Sequence, residues 1–486
     1  MPFRIQNLAS RAAALLLAAI STAPLAQGQA PALPTTAVQP ILQLRLRAES
    51  SDWFDQGPEG RYGLGHALAR FGATHTGGTW SWRLEGAAVA FVGLPTDAVQ
   101  PAPAGALGLG AVYYASNDRQ SNPAAVFLRQ GWLRWARAGQ AVRLGRFEFS
   151  DGLERAPKDP SLLALKTQRV GQRLIGPFGF SPVQRAFDGG HYTLTRGATN
   201  LTLVAARPTV GAFRARAQEG LDVDVAYAAL GRGRVTEKGE LDARLFALWY
   251  ADRRGTVPTD NRPLALRQAD RGPIRVATFG GHVAGVLRVG ESKLDGLVWG
   301  AVQTGDWGAL AQRADALAIE GGLQHQAFPW ALWLRGGWLR TSGDANASDA
   351  RHGTFFQVTP TPRGYARFPF YNLMNSGELF ATASVKPSAT VSLRAGVHAV
   401  SLTEPADLWY LGGGAFERGT FGYVGRPASG ASALATVTDL SLSWQARRRI
   451  AVELYAAHAR GGEVIRGVYG GSGGGSFLFA ETTISR

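Results

Sequence analysis

The feature that most constrains this chain is a two-residue alternation of apolar and polar side chains, repeated from near residue 40 to the C-terminus. Residues 42–49 place Leu42, Leu44, Leu46 and Ala48 on one face and Gln43, Arg45, Arg47 and Glu49 on the other. Residues 80–90 set Trp80, Trp82, Leu84 and Ala88 against Ser81, Arg83 and Glu85. Residues 221–229 set Leu221, Val223, Val225 and Tyr227 against Asp222 and Asp224, and residues 391–399 set Val391, Leu393, Ala395 and Val397 against Ser392, Arg394 and His398. A period of two is the signature of strands with two unlike faces.

About eighteen such segments can be counted between 40–50 and 476–485. Each is roughly ten residues long, enough for a tilted strand to cross a bilayer. Their connections alternate. Residues 77–78, 138–139, 197–199, 386–389 and 447–448 are tight, whereas 93–123, 151–184, 253–273, 343–376 and 403–433 are long. Short turns at one rim and long loops at the other suit an outer-membrane barrel, and a soluble sandwich has no reason to keep that parity. An even strand count closes the sheet and leaves no unpaired edge in lipid. The expected fold is therefore all-β: a transmembrane antiparallel barrel of about 18 strands, with short periplasmic turns and long extracellular loops. Trp80, Trp82, Trp132, Trp135, Trp249, Tyr250, Trp330, Trp333 and Trp338 lie near segment ends, as an interfacial girdle would.

Residues 1–30 read as an export signal: Arg4 and Arg11, then an apolar run at 12–20, then small residues at 28–30. Residues 31–39 read as a linker and 40–486 as the barrel. The chain has no Cys, which excludes a disulfide framework and thiolate metal sites. Its formal net charge of +15 becomes 15 − 2 = +13 once Arg4 and Arg11 are removed. Such a charge calls for an anionic partner, and after export nucleic acid is the least fitting one. The expected partners are outer-membrane lipid and lipopolysaccharide, an anionic solute and the barrel-assembly machinery, with the barrel itself a monomer.

If apolar residues face lipid, then Arg45, Arg47, Glu49, Arg83, Glu85, Asp222, Asp224, Arg244, Arg394 and His398 face the lumen. Their cationic excess points to passage of anions, although neighbouring charges of opposite sign could equally be structural ladders. One segment is ambiguous. In 140–149, Val142, Leu144, Arg146 and Glu148 share parity, so either a bulge resets the register at Gly145 or the strand leaves the membrane there.

Enzyme signatures are weak. Residues 470–474 match G-x-S-x-G but lie in a glycine-rich stretch without a strand-to-helix elbow. The eight His are scattered, and Asp344 and Asp349 read as a solvated turn. No enzyme activity, cofactor or metal is expected. Two alternatives to a channel stay open at this point: a barrel enzyme acting on lipid or polysaccharide, and a soluble periplasmic β-protein that binds polyanions.

Three stretches together resemble the alginate export family of Gram-negative outer-membrane barrels. The first is 128–135 running into 144–152. The second is 172–190, "QRLIGPFGFSPVQRAFDGG". The third is 342–375, with Phe355, Phe356, Pro360, Thr361, Tyr365, Pro369, Tyr371 and Asn372 in the family's places. The resemblance implies an 18-stranded barrel in the outer membrane and a passive channel whose arginine-rich lumen conducts a polyuronate. It implies that Arg146 and Glu148 are a lumenal pair and that Arg185 and Asp188 belong to a second family segment. The chain departs from the family in reading "GRFEF" at 145–149, where many members have Gln after Arg, and in ending on Arg486 rather than an aromatic. By parity Arg185 and Asp188 fall on opposite faces unless the pair lies above the membrane rim. The expectation is that 173–180 packs over the mouth while Arg173 and Arg185 line the entrance.

Overall fold

A computed structural model describes residues 37–217, 219–325, 328, 330–361 and 366–486. The residues read above as export signal, and most of those read as linker, lie outside the described residues. Val38 and Gln39, read above as linker, already belong to the first strand. In chain order the strands are β1 (Val38–Asp52), β2 (Arg61–Gly77), β3 (Trp80–Val92), β4 (Ala124–Arg137), β5 (Gln140–Phe147), β6 (Phe187–Arg196) and β7 (Thr199–Pro208). Next come β8 (Val223–Thr236), β9 (Gly239–Asp252), β10 (Ile274–Val289), β11 (Ser292–Trp307), β12 (Leu310–His325), β13 (Trp333–Thr341) and β14 (Arg351–His352). The series ends with β15 (Gly377–Val385), β16 (Val391–Ser401), β17 (Leu408–Gly412), β18 (Tyr423–Pro427), β19 (Ala433–Arg447), β20 (Ile450–Gly461) and β21 (Gly474–Ser485).

Eighteen of these form a closed antiparallel barrel, each pairing with its chain neighbours and β21 closing onto β1 from Gln43↔Ser485 to Asp52↔Ser476. The other three lie in loops: β14 is a two-residue addition to β12, and β17 pairs with β18 as a hairpin. Tight turns and long loops alternate as expected. The exception is the β11–β12 connection at the loop rim, which is only Gly308 and Ala309.

The outward face is apolar all round: Leu84, Leu245, Phe279, Ile319, Leu379 and Leu440 are each at least half exposed. A water-soluble chain would not leave so continuous an apolar surface bare, so the soluble alternative falls. The girdle is partly as expected. Trp80, Trp249, Trp330 and Trp338 are exposed on the outer face. Trp132, Tyr250 and Trp333 instead turn inward, where the indole N–H of Trp333 donates to Asp295 at 2.7 Å and Tyr250 is fully buried.

The lumen is filled by loops folded into it. The β5–β6 connection enters at the loop rim and runs down the bore. Its backbone N–H groups at Lys158 and Asp159 both donate to Glu240 at 2.7 Å, one residue into β9 from the tight turn. There Asp159 caps a helical turn, Pro160–Leu165, by accepting from Ser161 N at 2.8 Å, and Ser161 Oγ reaches Gln324 near the far end of β12 at 2.8 Å. The Asp–Pro start is a favourable helix opening. Leu162, Leu165, Val170 and Ile175 then pack against Tyr227, Phe246 and Trp299 of the wall.

This filling explains an expectation that failed. On β8 it is Val223, Val225 and Tyr227 that face inward, all buried, while Asp222 and Asp224 point outward. Asp224 pairs with Arg207 and Arg253, each at 2.7 Å, on the outer side of the rim. Alternation separates two faces, and where an apolar plug fills the bore the apolar face is the inner one.

Candidate pore lining

Three charged groups line the inner wall. The first spans β1–β4 and β21, where Arg45, Arg47, Arg70, Arg83 and Arg129 meet Glu49, Glu85, Glu148 and Glu481. Register explains the cluster. Arg47 lies opposite Glu481 of β21, and Arg70 bridges at 2.5 Å to Glu85 of β3. Glu85 is buried and also receives Arg83 and, at 3.2 Å, Arg129. Arg45 donates to the carbonyls of Gly179 and Ser181 on the inward loop, both at 2.7 Å. The Arg47 guanidinium lies 4.0 Å from the Phe180 ring centroid, and His66 sits 3.2 Å from Glu49.

The second group ties the inward loop to β9–β12. For the most part the wall supplies carboxylates and the loop supplies cations. Arg155 and Lys166 reach Asp242 at 2.7 and 2.6 Å, and Arg169 and Arg173 reach Glu320 at 2.9 and 3.1 Å. Arg335 of β13 joins Glu320 at 3.2 Å and Asp295 at 2.8 Å. Arg244 faces inward as expected, but its partners are Glu154 at 3.1 Å, from the loop, and the hydroxyl of Tyr227 at 2.9 Å. Apart from Arg155, these groups are almost wholly buried, so the charges cancel locally and brace the plug.

The third group is Arg394 and His398 of β16. Arg394 pairs with Asp439 at 3.2 Å and His398 with Glu378 at 2.7 Å, while Tyr455 donates to Asp439 at 3.1 Å. Nearby, Arg367 pairs with Glu453.

Most of the partly exposed cations lie outside the second group. The side chains of Arg45, Arg70, Arg83, Arg367 and Arg394 keep between 11% and 34% exposure, and all lie on or against the arc that runs from β16 through β21 to β4. The opposite arc, β9–β13, is sealed by the plug.

Several sequence-based site assignments are corrected. Arg146 is not lumenal. The β4–β5 register runs without a shift and puts Arg146 on the face of Leu133 and Leu144, which are both exposed to the outside. Its partner is Asp188, bound bidentately at 2.7 Å in both contacts, and Asp188 is likewise on the outer face, beside the inward, buried Phe187. The ambiguity over 140–149 resolves as the strand ending at Phe147 with no bulge at Gly145. The bulge lies instead on β4, where Arg129 is the extra residue, so that Arg129 and Gln130 are both buried inside. Glu148, beyond the strand end, leaves Arg146 and reaches Arg129.

Arg173 and Arg185 do not line an open entrance. Arg173 is buried over the Trp299 ring at 4.8 Å and held by Glu320. Arg185 is 1% exposed and donates to the Gly413 carbonyl at 2.8 Å, burial pushing its guanidinium down to about 10. Both brace loops. Several inner cations escaped the sequence reading: Arg155, Lys166 and Arg169 on the inward loop, Arg335 on β13, and Arg70, Arg129 and Arg367. Arg70 and Arg129 sit in segments whose alternation is blurred by glycine or by the bulge, and Arg367 comes from a loop.

The comparisons with known proteins agree with this architecture. The alginate export family model matches residues 41–473. No curated protein sequence matches. Among solved structures, Pseudomonas aeruginosa OpdK with vanillate is 10% identical, with a TM-score of 0.54 over 92% of this chain and 98% of that one. P. aeruginosa OccK9 (OpdG) is 11% identical, with a TM-score of 0.55 over 92% and 98%. Acinetobacter baumannii OccAB1 is 10% identical, with a TM-score of 0.55 over 92% and 96%. At such identities they show a shared fold. The family match, spanning almost all of an 18-stranded barrel with inward loops, places this chain in the alginate export family of outer-membrane channels.

Proposed function

We propose that the barrel passes anionic solutes by diffusion, carbohydrate acids of the uronate type foremost, along the arc from β16 to β4. The observation that supports this reading is the set of partly exposed arginines on that arc, Arg45, Arg70, Arg83, Arg367 and Arg394, which outnumbers the partly exposed Glu148, Glu453 and Glu481. Planar guanidinium groups match carboxylates in two-point geometry, which favours a uronate over chloride. Each arginine already holds a glutamate or aspartate, so its grip on a passing carboxylate is weak, as conduction requires. Vanillate, which accompanies OpdK in its crystal structure, is also a carboxylate, which fits the same chemistry in a barrel of like fold.

Reversal potentials in a planar bilayer under a salt gradient test the proposal. Anion selectivity is expected, and it should fall toward neutrality in the double variant Arg83→Glu, Arg394→Glu. Cation selectivity of the unmodified protein would overturn it.

A further inference from the structure

The barrel wall is uneven. Strands β10, β11 and β12 have sixteen residues each, but β5 has eight. At about 3.3 Å per residue and a tilt near 40°, eight residues rise only about 20 Å, less than the roughly 25 Å apolar band of an outer-membrane barrel. The β4–β5 ladder accordingly stops at Gly131↔Arg146, and the upper part of β4, residues 124–130, is laddered to β3 alone. The wall therefore has a notch toward the loop rim between β4 and β7.

Two features mark this notch as a place for a ligand from the membrane. First, the bidentate Arg146–Asp188 pair faces outward at its lower edge. A charge pair on the lipid face is costly at depth and tolerated near headgroups, so a polar layer must come down to this level. Second, a cleft of about 760 Å³ lies above it, lined by Val126, Val210, Arg214, Arg216, Glu417 and Arg418 among others. Its lower wall is apolar: Val126 is 63% exposed, and Leu128, Leu133 and Leu144 continue the surface downward. Its upper wall carries Arg214, Arg216 and Arg418 against Glu219 and Glu417, a cationic excess of one. Arg214 is occupied by Glu417 at 3.2 Å and Arg418 by Glu219 at 3.0 Å, which leaves the exposed Arg216 with no ion pair among the described residues.

We propose that this notch is a binding site for an acylated phosphate of the surrounding outer leaflet, that is, a phosphorylated glycolipid. Its acyl chains lie along Val126, Leu128 and Leu133, and its phosphate is held by Arg216 with Arg214 and Arg418 alongside. Phosphate suits these residues because guanidinium groups bind it in forked geometry. The inference rests on the outer-membrane placement of the barrel and is independent of which solute the lumen carries.

The test is native mass spectrometry of the full-length, detergent-purified barrel titrated with a diphosphorylated acyl-disaccharide lipid. Its dephosphorylated counterpart and inorganic phosphate serve as the other probes. Retention of the diphosphorylated lipid is expected, with a loss of roughly tenfold or more in Arg216→Glu. Arg216 is exposed and outside every ion pair described, so its replacement leaves the fold intact, which heat-modifiability on a gel verifies. Arg313→Ala, on the far outer wall, should bind as the unmodified protein does. Equal binding of the dephosphorylated lipid, displacement by inorganic phosphate, or no effect of Arg216→Glu would each overturn the proposal. Unchanged single-channel conductance in the same samples would show that the barrel and its pore stand even if this site fails.

Discussion

Glu320 is the residue whose loss should most change what the lumen admits. It lies on β12 with a fully buried side chain and receives Arg169, Arg173 and Arg335 at 2.9, 3.1 and 3.2 Å. Glu320→Ala removes the shared carboxylate from three buried guanidinium groups. Breaking one buried pair costs about 3–5 kcal/mol, because the remaining charge stays desolvated. Arg335 retains Asp295 at 2.8 Å, so the wall keeps its own pairing and the cost falls on the loop that carries Arg169 and Arg173. A cost of that size shifts the balance between a docked and a released loop by roughly 10²- to nearly 10⁴-fold. Two assays read this. Single-channel recordings should show a larger conductance with frequent transitions, and trypsin should cut at Arg169 and Arg173, which are buried in the unmodified barrel. Asp315→Ala is the matching control. Its outward pair with Arg340 is half exposed and contributes under about 1 kcal/mol. Unchanged conductance together with unchanged resistance to trypsin in Glu320→Ala would refute the view that the plug is held by charge.

Arg185→Ala should lower loop stability and raise protease sensitivity near Gly413 while leaving the reversal potential unchanged, because the side chain clasps the Gly413 carbonyl away from the arginine arc. A changed selectivity would show that it meets the ion path. His352 sits in a loop, stacked 4.1 Å from the Trp307 ring, and burial pushes its imidazole down to about 3 from an ordinary 6.5. The unfolded loop takes up a proton that the folded loop refuses, so the stability contributed is complete above pH 6.5 and is lost as pH falls toward 3. By pH 5 about 2 kcal/mol should be gone, seen as faster hydrogen exchange in residues 342–361, and His352→Gln should flatten that pH dependence.

Much of the barrel was legible without coordinates, for a local reason. Whether a segment alternates, and whether the next connection is two residues or thirty, are properties of neighbouring residues. They suffice to count eighteen strands and to orient tight turns against long loops. Arg45, Glu49, Arg83, Glu85, Arg394 and His398 could be placed on the inner face because the outer residues beside them are plainly apolar. Tertiary structure decided what fills the bore. Alternation tells that two faces differ and is silent on which is inside, so β8 inverted once Leu162, Leu165 and Phe246 made the neighbouring lumen apolar. Arg146 was misplaced because the family resemblance implied a lumenal role, whereas its parity with the outward Leu144 puts it on the outer face. The braces were invisible for the same reason of distance: Arg169 and Glu320 are 151 positions apart, and only closure of the sheet with the loop folded inside brings them within 2.9 Å.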